Sequence, residues 1–88
     1  MLTKPFLRQG KTDEVFRQEV LDFMQQLERH GRFKLFKYYK DPNKPHKEWP
    51  RHTMTYVDRN AAYREVMNSV LVDVQCISVT WGEPHEFD

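Results

Sequence analysis

The sequence predicts an α+β fold, a small sheet of three or four strands with two helices on one of its faces. Three observations predict it. Residues 13–30 carry apolar side chains at helical spacing, and so do those from Asp58 or Asn60 to about Leu71. Residues 32–40 and 51–57 alternate with the two-residue period of strands. Residues 72–81, VDVQCISVTW, are rich in β-branched types. At 88 residues the chain makes one domain, 1–88. A chain of that size buries roughly 60–65% of its unfolded surface, enough for a single modest core.

In chain order, residues 1–10 are an edge strand or a loose arm. Pro5 lacks a ladder donor, which confines any strand there to an edge or a bulge. Gly10-Lys11-Thr12 resembles the end of a phosphate-binding loop only superficially, since Pro5 stands where the first glycine of that motif belongs. The simpler expectation is that Gly10 breaks the chain and Thr12 or Asp13 caps the helix that follows.

In that helix Phe16, Val20, Phe23, Met24 and Leu27 form one stripe, flanked by Val15 and Leu21. Asp13 and Glu14 sit in its first turn, Arg29 and His30 in its last, and Gly31 stands at the position after the end that accepts positive φ. The strand 32–40 puts Phe33, Leu35, Lys37 and Tyr39 on one face and Lys34, Phe36, Tyr38 and Lys40 on the other. Asp41-Pro42-Asn43 opens a turn, and the loop to Pro50 holds three prolines. On the returning strand His52, Met54 and Tyr56 oppose Thr53, Thr55 and Val57. The second helix presents Ala62, Val66 and Val70. In the last strand Ile77, Val79 and Trp81 share a face opposite Val72, Val74 and Cys76, which predicts a central strand covered on both sides, or a bulge. Residues 82–88 read as a frayed acidic tail. The full order is β-α-β-β-α-β, the split arrangement also called ferredoxin-like, with one sheet face left open.

Composition bounds the function. Hydrophobic residues at 39% and charged ones at 31% fit a folded chain and not a disordered one. The net charge of +1 hides a polarised distribution. Residues 32–51 hold Arg32, Lys34, Lys37, Lys40, Lys44, Lys47 and Arg51 against only Asp41 and Glu48, while residues 65–88 hold five acids and no Lys or Arg. Cys76 is the single cysteine, so no internal disulfide forms, which suits a reducing compartment. With no apolar run of membrane length and no signal-peptide core in the first thirty residues, the expectation is a cytoplasmic protein that does not enter membranes.

No catalytic set, metal-ligand spacing or cofactor motif is recognisable, and the expectation is a non-enzymatic binding module without cofactor or metal. Its sharpest signal is the basic, aromatic strand-loop-strand 32–58. Lys34, Phe36, Lys37, Tyr38, Lys40, Lys44, Lys47, Trp49 and Arg51 offer rings for stacking and cations for phosphates, the pattern of a single-stranded RNA or DNA site. RNA-recognition modules share the element order, but their glycine-and-aromatic signature is missing from RFKLFKYYK and RHTMTYVD. The alternative is a protein-interaction module or small inhibitor that meets an acidic protein surface through the stiff 41–51 loop, with Trp49, Tyr38, Tyr39 and Arg51 as anchors. A small RNase using His46 and His52 is a third reading. An edge strand with exposed Tyr and Lys is also a route to a homodimer.

Overall fold

The computed structural model describes residues 1–87. Its elements are β1 (Leu2–Leu7), α1 (Asp13–Gln25), β2 (Arg32–Tyr39), β3 (Arg51–Tyr56), α2 (Arg59–Asn68) and β4 (Val74–Gly82), with short 3-10 turns at His46–Glu48 and Pro84–Phe87. The four strands form one sheet in the order β1-β4-β2-β3, every neighbour antiparallel. β1 and β2 therefore run in the same direction with β4 between them, and β3 and β4 do so with β2 between them. Each helix crosses over one intervening strand, which is the split β-α-β-β-α-β arrangement of an α+β fold. Both helices lie on one face. Phe6, Phe33, Leu35, Val74, Ile77 and Val79 of the sheet pack there against Phe16, Val20, Leu21 and Met24 of α1 and Ala62 and Val66 of α2.

The ends of the elements follow local chemistry. Thr12 caps α1, its Oγ1 accepting the Val15 N–H at 3.3 Å. Asp58 caps α2, its Oδ1 accepting from the Ala61 N–H at 2.9 Å. β1 is an edge strand, as Pro5 requires. The Arg8 N–H donates to the Gln75 carbonyl across the β1–β4 ladder, so by antiparallel alternation Thr3, Pro5 and Leu7 aim their backbone groups away from the sheet. The missing proline N–H thus falls on the solvent side, where it costs no ladder bond.

Three boundaries differ from the sequence reading. α1 stops at Gln25, five residues short of His30. The Arg59 guanidinium donates to the carbonyls of Gln25 (3.3 Å) and Leu27 (2.9 Å), so a cation from α2 does the work expected of Arg29 and His30. α2 stops at Asn68, which leaves Val70 76% exposed, and the next turn buries Leu71 instead. β4 starts at Val74 and carries a bulge: Tyr38 pairs with Cys76 but Tyr39 pairs with Val74, leaving Gln75 without a partner on β2. That extra residue shifts Val74 onto the Ile77–Val79 face and leaves Cys76 on the other. The strand is central and bulged, but the helices cover only its Val74–Ile77–Val79 face. The acidic tail is folded: Pro84–Phe87 turn back and Glu86 lies 3.4 Å from the N-terminal ammonium.

Gly31 enters β2 with φ +114. A Cβ there would lie 2.8 Å from Trp81 Nε1 and 2.9 Å from the Gly82 carbonyl oxygen. The indole cannot easily yield, because its Nε1 donates to the His30 carbonyl at 2.9 Å. Gly31→Ala is expected to lose about 1–3 kcal/mol of stability, from the forced φ and the contact with backbone together, measured by urea unfolding.

Candidate nucleic-acid interface

The side chains of the uncovered sheet face follow directly from the register. Three rows cross it: Thr3–Thr80–Lys34–Thr55, Pro5–Ser78–Phe36–Thr53 and Leu7–Cys76–Tyr38–Arg51. β4 and β3 supply mostly short side chains, so the rings of Phe36 and Tyr38 stand above a shelf of serine and threonine. Thr3 and Thr80 share a hydroxyl–hydroxyl bond of 2.9 Å on that shelf.

The rings continue off the sheet. Phe36 meets Tyr38 edge-on at 4.8 Å between centroids, Tyr38 stacks with His46 at 6.1 Å and 28°, and His46 meets Trp49 at 4.7 Å. Each spacing is within the range of favourable aromatic pairs. The loop is held in this path by its own bonds. Asp41 Oδ1 accepts the Asn43 N–H at 3.0 Å, the 3-10 turn His46–Glu48 follows Pro45, and Trp49 Nε1 donates to the Lys44 carbonyl at 3.2 Å. The Tyr39 N–H reaches the Pro50 carbonyl at 2.9 Å and closes the base of the loop. Trp49 is half-buried against its own loop, so it is the end of a ring row and not a free-standing anchor.

Cations border the row. The Arg51 guanidinium carbon lies 5.3 Å from the Tyr38 centroid, a cation–π contact that also fixes the arginine in place. Lys34 is exposed on the same face, and Lys40, Lys44 and Lys47 are exposed in or beside the loop. At the Lys34 end, Glu86 and Phe87 of the folded tail share a hollow with Lys34, Thr80, Met1 and Thr3.

Lys37 does not belong to this set, and its place there is corrected. It is 4% exposed and on the helix side of the sheet, opposite His52 and Ile77. Its Nζ donates to Glu65 Oε1 at 2.7 Å and Ser69 Oγ at 2.8 Å. The two-residue alternation groups it with Phe33 and Leu35, and its charge is spent within the fold. The Lys37 hydrogen bond holds the Glu65 carboxyl below the usual carboxylate range, against the opposing effect of its partial burial. Burial, followed by the Glu65 carboxylate, pushes the Tyr56 phenol up.

The two histidines of the RNase reading fall on opposite sides of the sheet. His46 stacks on Tyr38, while His52 lines a hollow with Lys37, Tyr39, Glu65 and Ser69. Cys76 is not in the core; it is half-buried on the open face between Leu7 and Tyr38, where burial pushes its thiol up and away from thiolate reactivity at neutral pH. Among the described residues no group of three or more His, Cys, Asp or Glu side chains is placed to hold a metal ion, and no helix is long and apolar enough to cross a membrane.

The Ser/Thr shelf, and the place of His46 in the ring row, are what the sequence reading passed over. The alternation of short polar residues in RHTMTY and CISVT was the available signal for the shelf, whereas nothing local announces that the loop folds His46 onto Tyr38. Comparison with protein-family models, with curated proteins and with solved structures finds no match to this chain.

Proposed function

We propose that this chain is a binding module for single-stranded nucleic acid, acting through the open face of β2 and β3 and the loop between them. The observation that carries the reading is the unbroken row Phe36–Tyr38–His46–Trp49, bordered by Lys34 and Arg51, which runs from the sheet face that neither α1 nor α2 covers into the adjoining loop. Rings so placed offer π-faces to bases, and the cations beside them follow a phosphate backbone. The bases of a duplex are already stacked on one another, so this chemistry selects single strands. A free, half-buried thiol at Cys76 in the middle of such a face fits a reducing, cytoplasmic setting.

The test is a titration of labelled single-stranded RNA and DNA against the full chain at two salt concentrations. If Lys34, Lys40, Lys44, Lys47 and Arg51 each meet a phosphate, log K falls with log salt at a slope of about −0.7 per contact, or about −3.5 in all. A fourfold rise in salt then weakens binding about 100-fold. Failure to bind either strand at low salt, where counterion release favours association most, refutes the proposal.

A further inference from the structure

The two edges of the sheet are not alike. On β1 the outward position at the centre of the strand is Pro5, which has no N–H to offer. On β3 the Tyr39–Pro50 hydrogen bond sets the alternation, so His52, Met54 and Tyr56 face β2 with their backbone groups while Arg51, Thr53 and Thr55 aim theirs away from the sheet. Among the described residues none of these outward groups has a partner. Natural edge strands are blunted by proline, by central lysines, by bulges or by a covering element. The centre of β3, Thr53-Met54-Thr55, has none of these. Met54 is 52% exposed on the helix side, where α2 does not cover it.

We infer that β3 pairs with β3 of a second copy, antiparallel about a two-fold axis through Thr53. The strand is self-complementary in that register. Arg51 falls opposite Thr55 of the second copy, Thr53 opposite itself, and every outward N–H and C=O of β3 in both copies finds a partner. On the helix side His52 covers the second copy's Met54, and on the open face two threonines meet, a favourable cross-strand pair. The two Arg51 side chains are offset by four residues, roughly 14 Å at 3.4 Å per residue, beyond the Debye length of about 8–10 Å at physiological salt. Shifting the axis to Met54 would oppose Arg51 to Val57, outside the strand, and pair fewer outward groups. The product is a continuous eight-stranded sheet whose two ring rows lie on the same face.

Sedimentation equilibrium of the nucleic-acid-free chain over a concentration series tests this. The expected result is a mass rising towards twice 10.7 kDa. Thr53→Pro should be monomeric with unchanged circular dichroism, since the lost N–H serves no bond within the chain. Should that variant misfold, a charge pair decides. Thr53→Lys and Thr53→Glu each place like charges opposite one another at the axis and should each weaken association about tenfold or more. An equimolar mixture of the two should restore the dimer. Wild type that stays monomeric to about 1 mM, separate variants that dimerise as well as wild type, or a mixture no better than its components would each overturn the inference.

Discussion

Replacing Glu65 with alanine is expected to cost about 2–3 kcal/mol of stability, less than the ~3–5 kcal/mol found when one partner of a fully buried ion pair is removed, because Lys37 is buried but the Glu65 side chain is 33% exposed. The cost arises at Lys37. Its ammonium is held under α2 with two side-chain partners, Glu65 Oε1 at 2.7 Å and Ser69 Oγ at 2.8 Å, and the residue is buried. Ser69 Oγ also donates to the Glu65 carbonyl at 2.6 Å, so the hydroxyl oxygen is fixed as an acceptor for the lysine. Without Glu65, only that neutral oxygen remains for a charge already removed from water. Domains of this size have on the order of 5–10 kcal/mol in total, so the loss is a large share of it. Removing both partners together, as Lys37→Met with Glu65→Leu, should cost little or even stabilise, because no orphan charge is left. The pair also sets a pH dependence. The folded state holds the Glu65 carboxyl below its usual range. Its contribution is therefore complete above the ordinary glutamate range and is lost as pH falls through the lowered value. Urea midpoints across an acid series should show a steeper decline for wild type than for the double variant. Equal declines would mean that the pair does not contribute to acid sensitivity.

The same lysine shows where sequence reasoning reaches and where it stops. The alternation in RFKLFKYYK separates the two faces of β2 correctly, and the faces of β3 follow from RHTMTYVD in the same way. Lys37 sits on the apolar face by that rule, but its charge argues for solvent. The partner that resolves the conflict lies 28 residues away on α2, with no local sign of the pairing. The end of α1 failed for a related reason, since the carbonyls near Leu27 are satisfied by Arg59, which approaches only after the chain has crossed the sheet and returned. Pro5 was more informative, because a missing donor limits a strand to an edge wherever the rest of the chain goes. In β4 the apparent apolar excess on both faces had two explanations, a central strand covered on both sides or a bulge, and the bulge is the one that applies, since it moves Val74 onto the helix-side face while the other face stays open. The ring row was half legible. Phe36 and Tyr38 share a face by parity, but His46 and Trp49 join them through packing of a proline-rich loop whose path is fixed by contacts and not by periodicity.

Removing two rings from that row separates stacking from charge. Tyr38→Ala combined with Trp49→Ala is expected to weaken single-strand binding by about 2–6 kcal/mol, roughly 30-fold at the least, since each stacked base is worth about 1–3 kcal/mol. Tyr38 is the sensitive position because it touches Phe36, His46 and Arg51. Its loss breaks the row in the middle and releases the guanidinium. Both residues are only half-buried, and neither belongs to the helix-side core, so the fold should survive, as circular dichroism would verify. The loss should appear at every salt concentration while the slope of log K against log salt changes little. Lys44→Gln with Lys47→Gln should do the reverse. These lysines are exposed and their ammonium groups make no cation–π contact among the described residues, so their removal should flatten the slope by about 1.4, at 0.7 per lost phosphate contact, and matter least at high salt. The crossing of these two patterns is what a stacking platform with a charged border requires. A purely electrostatic patch would lose affinity only through the lysines, and binding that survives the double ring variant unchanged would assign the site to charge alone.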